Sequence, residues 1–248
     1  MILDLDIGNS SIKWRRLQSP DQVAIGQGRA EGLSDLKRTV AEGGAIQRVR
    51  ISCVRDSTFQ ESLQEWVQLN CQVDAEIAEV VREKAGLTVN YEDVSKLGVD
   101  RWLAMLAAFT SNDCTACTVI DCGTALTVDS IADNGQHLGG FIVPGLELSR
   151  KALFEFTGIK MAAPEKSSRL YPGNSTEEAV CNGVQVMLVA FLERSIEQAK
   201  ELSRAAKNYT VYLTGGDAET LNKYISLPET RISIASNLVL EGLTIALP

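Results

Sequence analysis

The feature that most constrains this chain is a short acidic turn that occurs twice, each time directly after an apolar run. Residues 6–10 read D-I-G-N-S and residues 121–125 read D-C-G-T-A, so both match the pattern D-x-G-[NT]-[SA]. The residues around the start of each turn, 1–7 and 117–121, have the apolar character of buried strands. One such pentapeptide is weak evidence, but two at equivalent places predict two related halves.

The segments that follow each turn are also similar. Residues 11–17 and 23–30 predict two returning strands after the first turn, and residues 125–131 and 137–143 predict the same after the second. Each half therefore opens with a three-strand antiparallel meander, and alternating helices and strands follow. Further helices are predicted at 33–41, 57–69, 99–109, 145–156 and 176–205, and further strands at 48–54, 71–78 and 210–214. The prediction is an α/β protein of two domains, 1–113 and 114–248, each with a mixed sheet.

Charge and hydropathy exclude several classes of protein. The formal net charge of −8 and the pI near 4.9 argue against a nucleic-acid binder, which normally carries a basic face. The sequence shows no run approaching the roughly 18 apolar residues that a membrane span needs. The first residues lack the basic start of a secretory signal, so we expect a cytoplasmic protein.

The cysteines and the single histidine limit the chemistry further. Cys114 and Cys117 form one C-x-x-C pair, but a zinc site needs a second pair or histidines, and His137 is the only histidine. We therefore expect the cysteines to act as small apolar residues, and a redox role is disfavoured. His137 follows the hairpin signal Asp133-Asn134-Gly135 and is predicted to be a strand-edge residue rather than a catalytic base.

The paired turns suit phosphate chemistry. Glycine lets the backbone approach an anion closely, and the residues after it offer amide and hydroxyl donors. An aspartate cannot bind phosphate directly, so its place at the strand end makes sense if a cation lies between them. Two such turns facing across a cleft would hold a triphosphate and its metal, as phosphoryl transfer requires. The alternative is a pair of ordinary hairpins whose polar residues cap their own turns.

The duplicated turns resemble those of the acetate and sugar kinase, heat-shock-70 and actin superfamily, and this resemblance covers the whole chain. A closer resemblance is to the type III pantothenate kinases. It is carried, in matching order and spacing, by residues 6–10, 98–101 (G-V-D-R), 121–127, 139–145 and 175–179. The resemblance implies two ribonuclease-H-like (actin-like ATPase) domains with a cleft between them. It also implies ATP-dependent phosphorylation of pantothenate to 4′-phosphopantothenate, the first step of coenzyme A biosynthesis.

The resemblance further implies roles for residues on the acceptor side. Asp100 matches the general base, although an aspartate at this place could also simply cap the following helix. Arg101 matches the ligand of the substrate carboxylate. The remaining predicted pantothenate contacts are Tyr91, Gly98, Val99 and Thr176. Thr176 is expected to act across a dimer interface, or alternatively to be the N-cap of its helix.

On the nucleotide side, the resemblance implies a larger set of residues. The predicted ATP and phosphate ligands are Asp6, Gly8, Asn9, Ser10, Lys13, Gly123, Thr124, Gly215 and Gly216. Asp121 matches a ligand for a monovalent cation, K⁺ or NH₄⁺, and Asp6 would place Mg²⁺ through water. A homodimer is expected. The alternatives are a small kinase of the superfamily that acts on another acidic alcohol, or a nucleotide-binding regulator without phosphotransfer; the short chain disfavours an actin-like filament protein.

Overall fold

The computed structural model describes residues 1–18, 23–36, 45–113, 115–160, 169–203 and 209–248. These residues form two compact units, of which the first comprises Met1–Thr110 with Asn237–Pro248 and the second comprises Ser111–Ser236. The strands of the first unit are β1 (Ile2–Ile7), β2 (Ile12–Gln18), β3 (Val23–Ala30), β4 (Arg48–Cys53), β5 (Ala75–Ile77), β6 (Glu83–Lys84) and β7 (Leu87–Thr88). The strands of the second are β8 (Cys117–Cys122), β9 (Ala125–Ile131), β10 (His137–Pro144), β11 (Thr210–Thr214) and β12 (Arg231–Ile234).

Helices follow or separate these strands. The α-helices are α1 (Ser57–Cys71), α2 (Val99–Ser111), α3 (Leu146–Phe156), α4 (Thr176–Ser203), α5 (Ala218–Asn222) and α6 (Leu238–Ala246). A short 3₁₀ helix, Val94–Lys96, precedes α2. Residues 33–36 are helical, and the rest of the helix predicted for 33–41 lies outside the described residues.

The first unit is built on a five-stranded sheet with the order β3-β2-β1-β4-β5. β1 pairs antiparallel with β2 and parallel with β4, so it lies at the centre of the sheet. All six of its residues are buried, which is the usual condition of a central strand covered on both faces. Side chains alternate between the faces, so Leu3, Leu5 and Ile7 point to one side and Asp4 and Asp6 to the other.

The two faces of this sheet have different chemistry. The apolar face joins β1 and β4 to Leu63 and Val67 of α1 in one core cluster. α1 begins where the Asp56 side chain accepts a hydrogen bond from the Phe59 amide, and it ends at Gln72 in the left-handed conformation. The core helix α2 is apolar almost all round and is buried from residue 101 to residue 109.

The opposite face carries a buried ion network beneath α6. Asp4 accepts hydrogen bonds from Arg15 on β2 and from Arg50 on β4, with closest N–O distances of 2.7 Å in both pairs. Both arginines also bind α6: Arg15 donates to the Leu240 carbonyl, and Arg50 donates to the Leu247 carbonyl. The Leu247 carbonyl lies just past the end of α6, where the helix supplies no backbone donor, so Arg50 provides one and places a cation near the helix C-terminus.

The second unit repeats the plan of the first. Its sheet has the order β10-β9-β8-β11-β12, with β8 antiparallel to β9 and parallel to β11. This order corresponds strand by strand to β3-β2-β1-β4-β5. The predicted three-strand meanders and the predicted α/β class are therefore confirmed. β1 and β8 occupy the same place in their sheets, and each leads directly into one of the acidic turns.

Helix α4 is the long core helix of the second unit. Among the described residues it is long and apolar enough, by length and composition, to be considered as a membrane span. However, 56% of its most apolar window is buried inside the protein, and residues such as Leu188, Leu192 and Ile196 belong to the core cluster. This burial is the pattern of a core helix, whose apolar residues are already used for packing.

The structure differs from the sequence-based expectations at several points. His137, predicted as a strand-edge residue, begins the outer strand β10 as expected, but it is fully buried, and its Nε2 lies 3.0 Å from Asp129 Oδ1. Residues 79–91, for which no strand or helix is predicted, contain the hairpin β6–β7, whose turn residues Ala85 and Gly86 both have positive φ. Residues 237–248, predicted with the second half, pack instead in the first unit, because the apolar helix α6 covers its sheet. Cys114 lies outside the described residues.

Candidate active site

The first acidic turn lies at the carboxyl end of β1. Gly8 closes it by donating its amide to the Ser11 carbonyl at 3.1 Å, while Asn9 and Ser10 are exposed. Asp6, the last acidic residue of the strand, is only 8% exposed. Lys13 pairs with Asp6 in the register of β1 and β2, so both side chains lie on the same face of the sheet. Ligands of open α/β sheets bind at this edge, outside the carboxyl ends of the strands.

Arg55 holds the first turn from the neighbouring strand. Because β1 and β4 are parallel, the residues that follow β4 reach the same edge as the turn. Arg55 Nε donates to the Gly8 carbonyl at 2.9 Å, and Nη2 donates to the Asn9 carbonyl at 3.2 Å. Its guanidinium also lies over the Phe59 ring at 4.4 Å. Sequence reasoning missed Arg55, although its place just after a strand parallel to β1 is a usable signal.

All the predicted acceptor-side residues except Thr176 lie in one segment, from Tyr91 to Arg101. Arg101 is only 8% exposed, and its Nη1 donates to the Tyr91 hydroxyl at 3.2 Å. The structure therefore brings together two residues that are ten positions apart in sequence. A buried arginine fork beside a phenol is suited to binding a carboxylate.

Asp100 lies in the first turn of α2, next to Gly98. Its Oδ1 accepts a hydrogen bond from the Arg101 amide at 2.8 Å. A Cβ added to Gly98 would lie only 2.6 Å from that same oxygen, so a side chain there would displace the carboxylate. Gly98 also starts the helix, since its carbonyl accepts a hydrogen bond from the Trp102 amide. Val99 is the first residue of α2, so the predicted residues 98–101 form one helix start.

The second acidic turn is packed against the residues that follow β10. The Gly145 amide donates to the Thr124 carbonyl at 2.9 Å. A Cβ added to Gly145 would lie 2.2 Å from the Gly123 carbonyl oxygen, so only glycine allows this approach. Thr124 itself is exposed. Gly145 is therefore a further residue that shapes the turn, and its place directly after a meander strand is the sequence signal for it.

The loop after β11 reaches the same turn from the other side. Gly215 has φ of +90°, and a Cβ there would lie 2.4 Å from Asp121 Oδ1. Because β11 runs parallel to β8, both strands end at the same edge of the sheet. The structure thus brings the predicted residues Asp121 and Gly215 together, while Gly216 faces open space.

Burial and nearby charges raise the pKa of two ionisable groups near this turn. Burial raises the pKa of the Asp217 carboxyl; Arg150 opposes that rise, and Glu147 adds to it. Burial also raises the pKa of the Cys122 thiol, with further contributions from Asp121 and Asp217. A thiol of raised pKa forms little thiolate, so Cys122 is an apolar packing residue rather than a nucleophile.

Thr176 is the first residue of α4 and is exposed. The alternative prediction, that Thr176 caps this helix, is wrong. Ser175 is the residue whose hydroxyl accepts from the Glu178 amide, and Glu178 in turn accepts from the Asn174 amide. Ser175 is therefore the N-cap of a capping-box-like start, one residue before the predicted position, so the Thr176 hydroxyl is not needed for the helix start.

Comparison with known proteins assigns the chain to a family. The sequence profile of the family described as type III pantothenate kinase matches residues 2–198. A type III pantothenate kinase from Pseudomonas putida strain W619 is 40% identical over 257 residues, which cover 100% of this chain and 99% of that protein. A type III pantothenate kinase from Ectopseudomonas mendocina strain ymp is 37% identical over 256 residues, with the same coverage.

Solved structures share the fold at lower sequence identity. A Campylobacter jejuni protein described as belonging to the Baf family of transcriptional activators has a TM-score of 0.60 and 23% identity, covering 98% of this chain and 95% of that one. The PilM–PilN type IV pilus biogenesis complex gives a TM-score of 0.56 at 13% identity, covering 98% and 97%. At these identities the likeness shows the fold alone.

Two mixed sheets of the same strand order, each with an acidic glycine turn at the end of its central strand, define an actin-like ATPase fold. Within that class the family match is specific. The chain belongs to the type III pantothenate kinase family. Its activity is the ATP-dependent phosphorylation of pantothenate in coenzyme A biosynthesis.

Proposed function

We propose that Asp100 is the general base of this reaction and that Arg101 and Tyr91 bind the carboxylate end of pantothenate. The observation that carries this proposal is the geometry of the α2 start, where Asp100 is held between Gly98 and the Arg101 amide, and Arg101 contacts Tyr91. A primary alcohol that attacks the γ-phosphorus of ATP loses its proton late, so a nearby carboxylate suffices to orient it and accept the proton. Pantothenate supplies both the alcohol and the carboxylate that such a site requires.

The two acidic turns are proposed to bind the phosphates of ATP. Gly8, Asn9, Ser10 and Lys13 would serve in the first unit, and Gly123 and Thr124 in the second. Support comes from the exposure of Asn9, Ser10 and Thr124, and from the glycines that keep both turns free of side chains near the backbone. Gly215 and Gly216 would approach the adenosine side, where a Gly-Gly pair leaves room for a ligand.

Cations complete the proposal on the nucleotide side. Within the described residues no group of three or more His, Cys, Asp or Glu side chains could hold a metal by itself. A single carboxylate nevertheless fits Mg²⁺, which usually binds one or two carboxylates together with water and substrate phosphates. Asp6 would contact Mg²⁺ through water, and Asp121 would hold K⁺ or NH₄⁺. When bound, these cations would neutralise charge on the transferring phosphoryl group.

A homodimer is proposed through an apolar face of the second unit. Phe141 on β10 is 45% exposed, and Met187 on α4 is 50% exposed. Between these elements Phe141 packs edge-on against Phe191, with the ring centroids 5.8 Å apart. Exposed apolar groups of this kind on packed elements are typical of interaction sites. In the dimer the exposed Thr176 would contact pantothenate bound to the partner. The protein would act in the cytoplasm, where ATP and pantothenate are both available.

The test combines a substrate panel with one substitution. Purified protein with ATP, Mg²⁺, K⁺ and pantothenate should form ADP and 4′-phosphopantothenate, detected by mass spectrometry. Turnover of another acidic alcohol in preference to pantothenate would support the related kinase instead, and ATP binding without any turnover would support a regulator. Asp100→Asn should remove turnover while ATP binding, measured by calorimetry, stays intact. A near-normal rate for this variant would show that Asp100 is not the base.

A further inference from the structure

Arg82 lies just before the hairpin β6–β7, and it is not one of the predicted site residues. Its backbone carbonyl accepts a hydrogen bond from the Val89 amide at 2.8 Å, which closes the base of the hairpin. Its guanidinium then reaches over the segment that follows. Nη1 donates to the carbonyls of Val89 at 3.3 Å and Tyr91 at 3.0 Å, and Nη2 donates to the carbonyl of Glu92 at 3.1 Å.

The segment that Arg82 binds leads directly to the acceptor side of the site. Val89 and Leu97 are buried at its two ends, with exposures of 1% and 3%. Between them the chain lies largely at the surface, so apolar packing fixes only its ends. Asp93 stabilises the later part by accepting hydrogen bonds from the Ser95 amide and hydroxyl. The earlier part, which carries Tyr91, is the part held by Arg82.

The side-chain contacts form a continuous path. Arg82 fixes the backbone of Tyr91, and the Tyr91 hydroxyl accepts a hydrogen bond from Arg101 Nη1. Three carbonyls in one short segment require a donor with several N–H groups in a fixed plane, which arginine provides and lysine does not. A small displacement of Tyr91 would change the donor groups that Arg101 presents to a carboxylate.

We propose that Arg82 is a positioning residue for the acceptor substrate, an inference that rests on the Tyr91 and Arg101 carboxylate site proposed above. It holds residues 89–92 so that the Tyr91 hydroxyl and the Arg101 guanidinium meet the carboxylate of the acidic alcohol in one geometry. Its loss weakens binding of that substrate. The same loss leaves phosphoryl transfer unchanged once the alcohol is bound, because Asp100 is held by α2 and Gly98 rather than by Arg82.

The kinetic test uses Arg82→Met, Arg82→Lys and a matched control, Lys84→Met, from the same hairpin. For Arg82→Met we expect the KM for pantothenate to rise about tenfold, with kcat and the KM for ATP each within about twofold of wild type. Arg82→Lys should recover part of the loss, because one ammonium can bind one carbonyl at a time. Lys84→Met should behave as wild type. Melting curves followed by circular dichroism check that every variant is folded.

A double-mutant cycle with Tyr91→Phe tests the path itself. If Arg82 acts through the position of the Tyr91 hydroxyl, Arg82→Met should change the KM for pantothenate by less than about twofold in the Tyr91→Phe background. Full additivity, or an unchanged KM in Arg82→Met alone, would overturn the role of Arg82 while leaving the kinase function in place. A wild-type protein without pantothenate turnover would instead overturn the proposed function, and the role of Arg82 with it.

Discussion

Removal of the Asp4 carboxylate should be among the most damaging single changes in the first unit. Asp4 and Arg50 are fully buried, and the Arg15 side chain is 11% exposed. The two oxygens of Asp4 accept four hydrogen bonds, two from each arginine. Asp4→Ala would leave two buried guanidinium groups without their shared counter-charge, and each would still have to pay the cost of leaving water.

The expected loss in the free energy of unfolding follows from the burial of this ion network. Removal of one partner from a buried ion pair costs about 3–5 kcal/mol, because the remaining charge stays desolvated. One carboxylate here serves two cations, so we expect a value near the upper end of that range. Native domains are stable by only about 5–15 kcal/mol, so the variant should lose a large share of its free energy of unfolding. Glu76→Gln is the matched control, because the Arg48–Glu76 pair is 28% and 40% exposed and should be worth at most about 1 kcal/mol.

The assay is urea unfolding followed by tryptophan fluorescence. The chain has three tryptophans, Trp14, Trp66 and Trp102, and all lie in the first unit, so the signal reports the unit that contains Asp4. The midpoint should fall strongly for Asp4→Ala at an unchanged denaturant dependence, and only slightly for Glu76→Gln. The reasoning is refuted if Asp4→Ala stays within about 1 kcal/mol of wild type.

Three further predictions concern the turns and the pH dependence of stability. Gly215→Ala should lower kcat/KM for ATP at least tenfold, because the new Cβ would strike Asp121. This loss is about the scale of one lost charged contact. Gly183→Ala is the control, because a Cβ there meets open space. Arg55→Met should raise the KM for ATP several-fold and spare that for pantothenate, measured by steady-state kinetics, because Arg55 holds only the first turn. The hydrogen bond from Arg48 lowers the pKa of Glu76 from its usual 4.5. The stability difference between wild type and Glu76→Gln should therefore be fully present above the usual pKa of 4.5. It should vanish as the pH falls through the lowered pKa, as followed by urea unfolding at each pH.

The architecture was predictable because its signals are local. Alternating apolar residues and turn residues identify the meanders, and the repeated acidic turn relates the two halves. The hairpin β6–β7 was not predicted, because strands of two residues are too short to show a period. Ala85 at φ of +48° is also an unusual residue for such a turn.

The site was predictable in part. The contact between Tyr91 and Arg101 could be expected only from the family resemblance, since the nine residues between them carry no spacing rule. The roles of Arg55, Arg82 and Gly145 depend on long-range packing: two arginines bind backbone carbonyls, and one glycine permits a close approach. A carbonyl has the same chemistry at every residue, so no sequence pattern marks the ones that an arginine will choose.

The ion network beneath α6 has a consequence for the order in which the protein can mature during synthesis. Residues 238–248 leave the ribosome only after the entire second unit has been made. Until then the amino-terminal sheet has one uncovered face, on which Arg15 and Arg50 lack the carbonyl groups of Leu240 and Leu247. The sheet of the first unit, although it is translated before the second unit, is therefore among the last parts to reach its native state. Nascent chains stalled before residue 238 should be far more sensitive to protease in residues 1–100 than the protein that includes α6 is.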